Sequence, residues 1–250
     1  MTGRPRPDRP RWYGRRRGHK LGKGRQYLLD TLLPRLRLLP PEDGLLDPYS
    51  VFPKPPEDIW LEVGFGGGEH FAAQARAYPG IGFIGCEPFV NGVAALLARV
   101  ESEGISNIRI YDDDARLLFE RLPDACFGRV FILFSDPWPK KRHRRRRFIG
   151  TETLGDLARL MKDGAEVRFA SDDEDYVAWT LEHFIRHSCF TWTARRPRDW
   201  RQRPHNGFET RYEIKALSRG ASCFYLCFIR RSRANGSPPK NGPQRSTFRH

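Results

Sequence analysis

Short apolar segments alternate with amphipathic segments through the middle of the chain. The apolar, β-rich segments are residues 59–63, 81–86, 108–111, 129–134 and 165–170. The segments that follow them have the apolar spacing of helices, over residues 69–78, 89–101, 115–122, 154–161 and 176–187. Strands that alternate with helices predict a mostly parallel, doubly wound sheet whose strands share one open carboxyl edge.

Both ends of the chain depart from this alternation. Residues 26–39 predict a short amphipathic helix broken near Pro34, and residues 40–57 form a Pro-rich arm. Residues 190–194, 213–216 and 222–229 are three candidate strands in succession, which predicts an antiparallel C-terminal strand. We therefore divide the chain into a basic, flexible segment (1–25), a helix and arm (26–57), one domain (58–230) and a polar tail (231–250).

Composition narrows the class of protein. The chain has 250 residues, of which 39% are hydrophobic, so it can bury one sizeable core. It has no apolar run of about 18 residues and no secretory signal, so we expect no membrane span. The five cysteines are scattered without a CxxC pair, which indicates reduced cysteines in a cytoplasmic protein, with neither a metal site nor a disulfide framework.

The charge is strongly positive and is concentrated in two places. Lysine and arginine number 44 against 30 acidic residues, a formal net charge of +14. Residues 1–25 hold ten of these cations and one acid, and residues 140–147 hold seven cations and no acid. An even basic coat would only keep the chain soluble. Two dense patches instead favour a polyanionic partner, because each neutralised phosphate releases counterions.

A glycine-rich turn follows the first predicted strand. Gly64, Gly66 and Gly68 let the backbone bend sharply and approach a ligand closely. Glu69 stands where a dinucleotide fingerprint needs its third glycine, and a carboxylate there repels a pyrophosphate. The turn therefore disfavours a nicotinamide-dependent oxidoreductase and favours a ligand without phosphate.

Acidic residues occur at the same ends of the predicted strands. Glu62 ends the first strand, Glu87 ends the second, and Asp114 lies beyond the third, with Asp112 and Asp113 as more exposed rivals. Any one acid is as readily a helix cap or a loop residue, but the series lines the crevice where open α/β sheets bind ligands.

The pattern Glu-x-Gly-x-Gly-x-Gly over residues 62–68 resembles the first motif of Rossmann-like methyltransferases. Their ligand, S-adenosylmethionine, carries a sulfonium, an ammonium and a ribose, so carboxylates around it are favourable. On this reading Glu62 suits the methionine end of the ligand, Glu87 the ribose hydroxyls and Asp114 the adenine.

The fourth predicted strand leads into an acid, two prolines and the basic run. Asp136 comes first, and Pro137 and Pro139 stiffen the loop before the cations begin at Lys140. An acid followed by proline and an aromatic residue faces the methyl group in many N-methyltransferases. Trp138 either stacks on a base or anchors the loop by packing. Phosphates bound by the run would lie beside the methyl donor, which favours RNA as the partner.

The motifs together resemble the bacterial tRNA (guanine-N7-)-methyltransferase family. The matching pieces are LEVGFGGG, GCEPF, DDDA, DPWPKKRHRRRR, ASDDEDY and TRYE, which span roughly residues 59–230. The resemblance implies a Rossmann-like methyltransferase fold, S-adenosylmethionine as cofactor, and methylation of tRNA at N7 of a variable-loop guanine. We expect no metal and no membrane partner, and a monomer or small homo-oligomer.

The resemblance also implies roles for individual residues. Asp136 would be catalytic and, with the acids and glycines named above, would contact the cofactor. Substrate contacts would come from Lys140, Asp172, Thr210, Arg211, Tyr212 and Glu213, and RNA contacts from Arg142, His143, Arg144, Arg145, Arg146 and Arg147. The chain departs from the family at Ser135, where proline is usual, at Arg211 and Tyr212, which replace lysine and phenylalanine, and at Asp173, where relatives often have an aromatic residue.

The chemistry of guanine N7 defines what Asp136 is expected to do. This atom has a free lone pair and no proton, so the enzyme needs no general base and must place N7 in line with the methyl group. A fixed carboxylate stabilises the positive charge that passes to the purine. Asp172 and Glu213 are candidates to bind the guanine N1–H and amino group, which only donate.

Two other functions remain open at this point. One is methyl transfer to a different acceptor, such as another RNA base or a protein. The other is a catalytically silent RNA-binding protein on the same scaffold. A silent protein would be expected to have a broken cofactor motif, and here the glycines and all four acids are intact.

Overall fold

Seven strands form one sheet in the computed structural model, which describes residues 13–233. They are β1 (Asp58–Val63), β2 (Ile81–Cys86), β3 (Ile108–Tyr111), β4 (Phe127–Leu133), β5 (Met161–Ser171), β6 (Phe190–Trp192) and β7 (Phe224–Arg230). Their order across the sheet is β3-β2-β1-β4-β5-β7-β6. Strands β1 to β5 pair in parallel, whereas β7 is antiparallel to both β5 and β6. The predicted mostly parallel sheet with an antiparallel C-terminal strand is confirmed.

Helices cover both faces of this sheet. They are α1 (Lys23–Thr31), α2 (Leu33–Leu36), α3 (Glu69–Ala77), α4 (Val90–Glu103), α5 (Ala115–Phe119), α6 (Thr151–Leu160), α7 (Glu174–Arg186), α8 (Arg198–Arg201) and α9 (Arg211–Ser218), with a 3-10 helix over Lys141–Arg146. Alternate strand residues serve the two faces: Leu61 packs in the core under α5, α6 and α7, and Trp60 packs in the core under α1, α3 and α4. A doubly wound sheet needs both cores, because parallel strands are buried on both faces.

One predicted strand is wrong. Residues 213–216 lie in α9, which begins after Thr210 because the Thr210 side chain accepts a hydrogen bond from the Glu213 amide at 3.0 Å. The sequence Thr-Arg-Tyr-Glu has the spacing of an N-terminal helix cap, with threonine first and glutamate three residues later. Ile214 and Ala216 alternate with polar residues, as in a strand, but the cap formed by Thr210 starts a helix here.

The start of the chain is more ordered than its composition predicts. Val90 donates a backbone hydrogen bond to the carbonyl of Arg16 at 2.9 Å. The Asn91 side chain accepts from the Gly18 amide at 2.7 Å and donates to the carbonyl of His19 at 2.8 Å. Residues 16–19 therefore lie against the start of α4, because their backbone groups bond to Val90 and Asn91. Residues 1–12 and 234–250, which hold the rest of the basic segment and most of the tail, lie outside the described residues.

The helix expected over residues 26–39, with a break near Pro34, is formed by α1 and α2, which are separated at Leu32. Pro34 lies in the first turn of α2, where a missing amide costs no helical hydrogen bond. Arg37 then pairs with Ile110 beside β3, so the arm partly covers this edge of the sheet. Within residues 13–233, no helix combines the length and the apolar character needed to cross a membrane.

Removing an aromatic ring from the core under α7 should destabilise the fold. Phe184 is 1% exposed and its ring stacks on Phe228 with centroids 3.9 Å apart. Phe184→Ala should lower the free energy of unfolding by about 3–5 kcal/mol, because the ring leaves a cavity. Ile185→Ala is the control, since Ile185 is on the same helix and 61% exposed. Urea unfolding measures both variants, and equal losses would contradict this packing.

Candidate active site

The carboxyl ends of β1 to β4 surround a crevice of about 260 Å³. It brings together several residues predicted from the sequence and some that were not. The lining includes Tyr13, Arg15, Gly64, Gly66, Glu87, Asp114, Arg116, Asp136, Trp138, Arg146 and Tyr212. Glu62, Asp172 and Glu213 are not part of this lining.

The glycine-rich turn has the backbone conformation that its sequence indicates. Gly64, Gly66 and Gly68 have φ values of +73°, +56° and +76°, in the left-handed region that side chains other than glycine rarely adopt. A Cβ atom at Gly66 would lie 3.0 Å from the ring of Tyr212. The turn therefore brings bare backbone up to the crevice wall, where a ligand can approach it closely.

Glu87 is a buried carboxylate of the crevice, as is Asp114. It accepts hydrogen bonds from the Gly66 amide at 2.7 Å and from the Phe89 amide at 2.9 Å. Burial, together with the nearby charge of Asp136, raises the pKa of Glu87 to about 7 against the lowering effects of the two amide donors and of Arg211. The site thus holds a carboxyl group that titrates near neutral pH.

Asp114 caps α5 and is bound by the arginine that follows it. Its side chain accepts from the Arg116 amide at 3.0 Å and from the Arg116 guanidinium at 2.6 Å. Asp112 and Asp113 are less buried and pair with Arg37 and Arg16. Asp114 is therefore the acid of this triplet that lies in the crevice, as predicted, and part of its charge is already balanced.

Glu62 lies behind the glycine-rich turn and is 3% exposed. Its carboxylate is 2.7 Å from Nδ1 of the buried His70. A carboxylate only accepts, so Nδ1 carries the proton, and Nε2 then accepts from the Gln74 amide at 3.2 Å. Gln74 in turn donates to the carbonyl of Asn206 at 3.3 Å. The structure thus places Glu62 in a buried polar network with α3.

The loop after β4 holds Asp136 at the mouth of the crevice. Phe134 has a φ of +51° and Trp138 a φ of +45°, so two residues without the freedom of glycine adopt left-handed conformations at its ends. Each such residue costs on the order of 1–3 kcal/mol, and surrounding contacts must hold it. The carboxylate of Asp136 reaches solvent, yet the crevice walls desolvate it enough to raise its pKa.

An arginine lies between two aromatic rings beside this loop. The guanidinium carbon of Arg146 is 4.8 Å from the ring centre of Tyr13 and 4.9 Å from that of Trp138. The two rings are 6.3 Å apart in an edge-to-face arrangement. Such cation–π contacts favour the packing role of Trp138, since Arg146 of the 3-10 helix packs on its ring.

The basic run does not present all of its cations to solvent. Lys140, Lys141, Arg142 and Arg145 are exposed on the 3-10 helix and the residue before it. Arg147 is buried and pairs with Asp175, and this bond lowers the pKa of Asp175. The sequence predicts an RNA contact for Arg147, but in this structure its side chain is buried between the loop after β4 and α7.

The segment from Thr210 to Glu213 serves two cavities. Tyr212 borders the crevice, and Arg211 donates to its hydroxyl at 2.8 Å. Glu213 is 2% exposed and faces a smaller cavity, where it accepts from Tyr225 at 2.5 Å and lies 3.4 Å from Arg203. Both contacts use Oε1 of Glu213. Asp172 pairs with Arg219 through Oδ2 at 3.2 Å.

Sequence reasoning missed three contributors to this region. Tyr13 and Arg15 border the crevice although they belong to a segment predicted as flexible, and the aromatic residue within a basic stretch was the available signal. His70 follows the glycine-rich turn closely, and its contact with Glu62 depends on how α3 packs. No group of three or more potential metal ligands occurs within the described part of the chain.

The buried carboxyl of Glu87 should make stability depend on pH. Its pKa is about 7 in the folded protein and near 4.5 when exposed, so the folded state binds the extra proton between these values. The free energy of unfolding should therefore fall by about 3 kcal/mol as pH rises from about 4.5 to 7. In Glu87→Gln this fall should be absent. Urea unfolding across that pH range measures it, and identical pH profiles for the two proteins would contradict the assignment.

Comparison with known proteins identifies the family. A family model described as "Putative methyltransferase" matches residues 56–226. A tRNA (guanine-N(7)-)-methyltransferase of Rhodospirillum rubrum is 52% identical over 237 residues, which are 91% of this chain and 92% of that protein. A protein of the same name from Nitrobacter hamburgensis is 45% identical, over 89% of this chain and 88% of that one.

Solved structures agree on the fold. The crystal structure of the 16S rRNA methyltransferase KamB matches with a TM-score of 0.50 and 16% identity, over 71% of this chain and 89% of that one. At this identity the likeness concerns the architecture alone, and it agrees with the sheet order described above. The sequence relatives go further, and the chain belongs to the tRNA (guanine-N(7)-)-methyltransferase family.

Proposed function

We propose that this protein transfers a methyl group from S-adenosylmethionine to N7 of a guanine in tRNA, with 7-methylguanosine as the product. One observation carries the proposal: Asp136 and the buried Glu87 face the same crevice, and exposed cations begin four residues after Asp136. The names of the sequence relatives support guanine N7 of tRNA as the acceptor. A tRNA substrate implies a cytoplasmic site of action.

The crevice fits S-adenosylmethionine by its donor set. Glu87, Asp114 and Asp136 surround it with carboxylates, which suit a ligand that carries a sulfonium, an ammonium and ribose hydroxyls but no phosphate. Glu87 already accepts two amide hydrogen bonds, so its oxygens are fixed and oriented to accept ribose hydroxyls as well. When bound, the cofactor supplies an electrophilic methyl group on a positively charged sulfur. Glu62 does not line the crevice in this structure, and its proposed contact with the methionine end would use Oε1, because Oε2 accepts from His70.

The residues of the chain then have to orient the base and stabilise charge. Guanine N7 has a lone pair and no proton, so no side chain needs to remove one. Placing N7 in line with the methyl group supplies much of the rate effect. As positive charge passes from sulfur to the purine, the carboxylate of Asp136 stabilises it from a fixed position. Asp136 is therefore assigned a charge and orientation role rather than that of a proton acceptor.

Replacing Asp136 should separate catalysis from binding. Asp136→Asn should lower kcat for tRNA methylation by about 10²–10³-fold, because it removes the fixed charge at the same shape. The dissociation constants for S-adenosylmethionine and tRNA should change far less. Asp124→Asn is the matched control, since its carboxylate is exposed and pairs with Arg159. Methyl transfer from labelled cofactor is measured with each binding constant, and a kcat within twofold of the unchanged protein would exclude the role of Asp136.

The exposed cations should provide the salt dependence of RNA binding. Arg142 and Arg145 are exposed on the 3-10 helix, directly after the loop of Asp136. Arg142→Gln together with Arg145→Gln should reduce the slope of log K against log salt by about 1.5, because each phosphate contact contributes about 0.7–0.9. Arg186→Gln, an exposed change on α7, is the control and should leave the slope unchanged. Binding of tRNA is measured at several salt concentrations. A double variant with an unaltered slope would remove this surface from the proposal.

A further inference from the structure

The last arginine of the basic run is buried, unlike its exposed neighbours. The Arg147 side chain has no exposed surface, whereas Arg144 is 32% exposed. Its Nε donates to the carbonyl of Pro137 at 2.7 Å, and its Nη2 pairs with Asp175 at the start of α7. The guanidinium also lies 5.0 Å from the ring centre of Tyr176 and 5.2 Å from that of Trp179. One side chain thus joins the loop after β4 to α7.

Stability alone does not account for this burial. A buried charge loses its hydration, and a buried ion pair is often no more stable than apolar side chains of similar volume. Asp175 is itself half exposed, so the charge of Arg147 is only partly enclosed with its partner. Nη1 of Arg147 has no hydrogen-bond partner among residues 13–233, and an unsatisfied buried donor is a further cost. What the buried position provides is the hydrogen bond from Arg147 to the carbonyl of Pro137.

The contacts made by α7 bracket Asp136. On one side of it, the Ser135 hydroxyl donates to the Tyr176 hydroxyl at 3.4 Å. On the other side, Arg147 binds the carbonyl of Pro137. The residues at the two ends of the loop, Phe134 and Trp138, have left-handed φ values. Such a backbone keeps its conformation only where its surroundings hold it.

We propose that Arg147 is a positioning residue for Asp136, and that its pair with Asp175 fixes the loop over residues 134–138 against α7. This inference rests on the proposed methyl transfer and extends it to a residue that touches neither cofactor nor substrate. The fork of the guanidinium is what the position requires, because one planar group donates to Pro137 and Asp175 at once. A lysine has the charge but a single nitrogen.

Arg144 supplies the matched comparison. It binds the other oxygen of Asp175 at 2.6 Å but remains partly exposed, and among residues 13–233 it has no side-chain hydrogen bond or ion pair with the loop of Asp136. The two arginines therefore share one acid and differ in what else they hold. Arg144 faces the surface where RNA would bind, whereas Arg147 faces the loop.

The kinetic test uses Arg147→Lys and Asp175→Asn in the full chain, with Arg186→Gln as the control. Arg147→Lys should lower kcat by 10-fold or more, because misplacing a catalytic group by about 1 Å costs up to about 10²-fold. Asp175→Asn should lower kcat in the same direction. Both should leave the dissociation constant for S-adenosylmethionine unchanged. Arg186→Gln, an exposed change on α7, should leave kcat and both dissociation constants, for S-adenosylmethionine and for tRNA, unchanged. A kcat equal to that of the unchanged protein in both Arg147→Lys and Asp175→Asn would overturn the inference.

A second readout does not depend on turnover. With 5-fluorotryptophan incorporated, the ¹⁹F signal of Trp138 is assigned through Trp138→Phe. It should shift or broaden in Arg147→Lys and in Asp175→Asn, while the signal of the distant core residue Trp60 stays unchanged. An unaltered Trp138 signal in both variants would contradict the positioning role of Arg147, even if the protein methylates tRNA. If the unchanged protein forms no methylated tRNA, the proposed function fails, and this signal still decides whether Arg147 fixes the loop. Asp175→Asn serves where Arg147→Lys does not fold, because Asp175 is half exposed.

Discussion

The approach of the glycine-rich turn to the carboxylate of Glu87 is the contact on which the site depends. The Gly66 amide donates to Glu87 at 2.7 Å, and a Cβ on Gly92 would lie 2.3 Å from the Gly66 carbonyl. The turn can therefore lie this close only because glycine is present both in the turn and in the helix that faces it. The parallel order of β1 and β2 sets the two groups side by side, so the architecture of the sheet and the chemistry of the crevice have one origin.

A single basic run divides into two physical roles. Its exposed arginines suit phosphate binding, whereas its last arginine leaves the surface to hold the backbone next to Asp136. The run thus connects the surface where RNA would lie with the loop where chemistry would occur, over only a few residues. This proximity fits the proposed function, because a base would enter the crevice while its backbone phosphates contact the exposed cations.

Much of the fold could be read from the sequence, because apolar periodicity reports burial directly. Predicted β2 and β3 have the observed bounds, since buried parallel strands are short continuous apolar runs between turns. The strand predicted over residues 213–216 is part of helix α9, because the side chain of Thr210 caps the start of a helix there. The local apolar pattern predicts whether a segment is a helix or a strand, but it fails where a helix cap determines the structure.

The sequence predicts the candidate site less well where the position of a side chain depends on partners far away in the chain. Gly66, Glu87 and Asp136 were identified because each follows a strand end and all strand ends meet at one edge. The burial of Arg147 was not, since its partner Asp175 is 28 residues away and nothing in a run of arginines marks one as internal. The sequence predicts Glu62 in the crevice, but in the structure its carboxylate contacts His70 of α3. This contact depends on how α3 packs, which the sequence pattern does not give.

Methylation of guanine N7 in tRNA can be tested directly. The protein is incubated with labelled S-adenosylmethionine and an unmodified tRNA transcript, and the RNA is then digested to nucleosides, which are separated. The label should be found in 7-methylguanosine. Label in any other nucleoside, or an unlabelled transcript in the presence of folded protein, would contradict it.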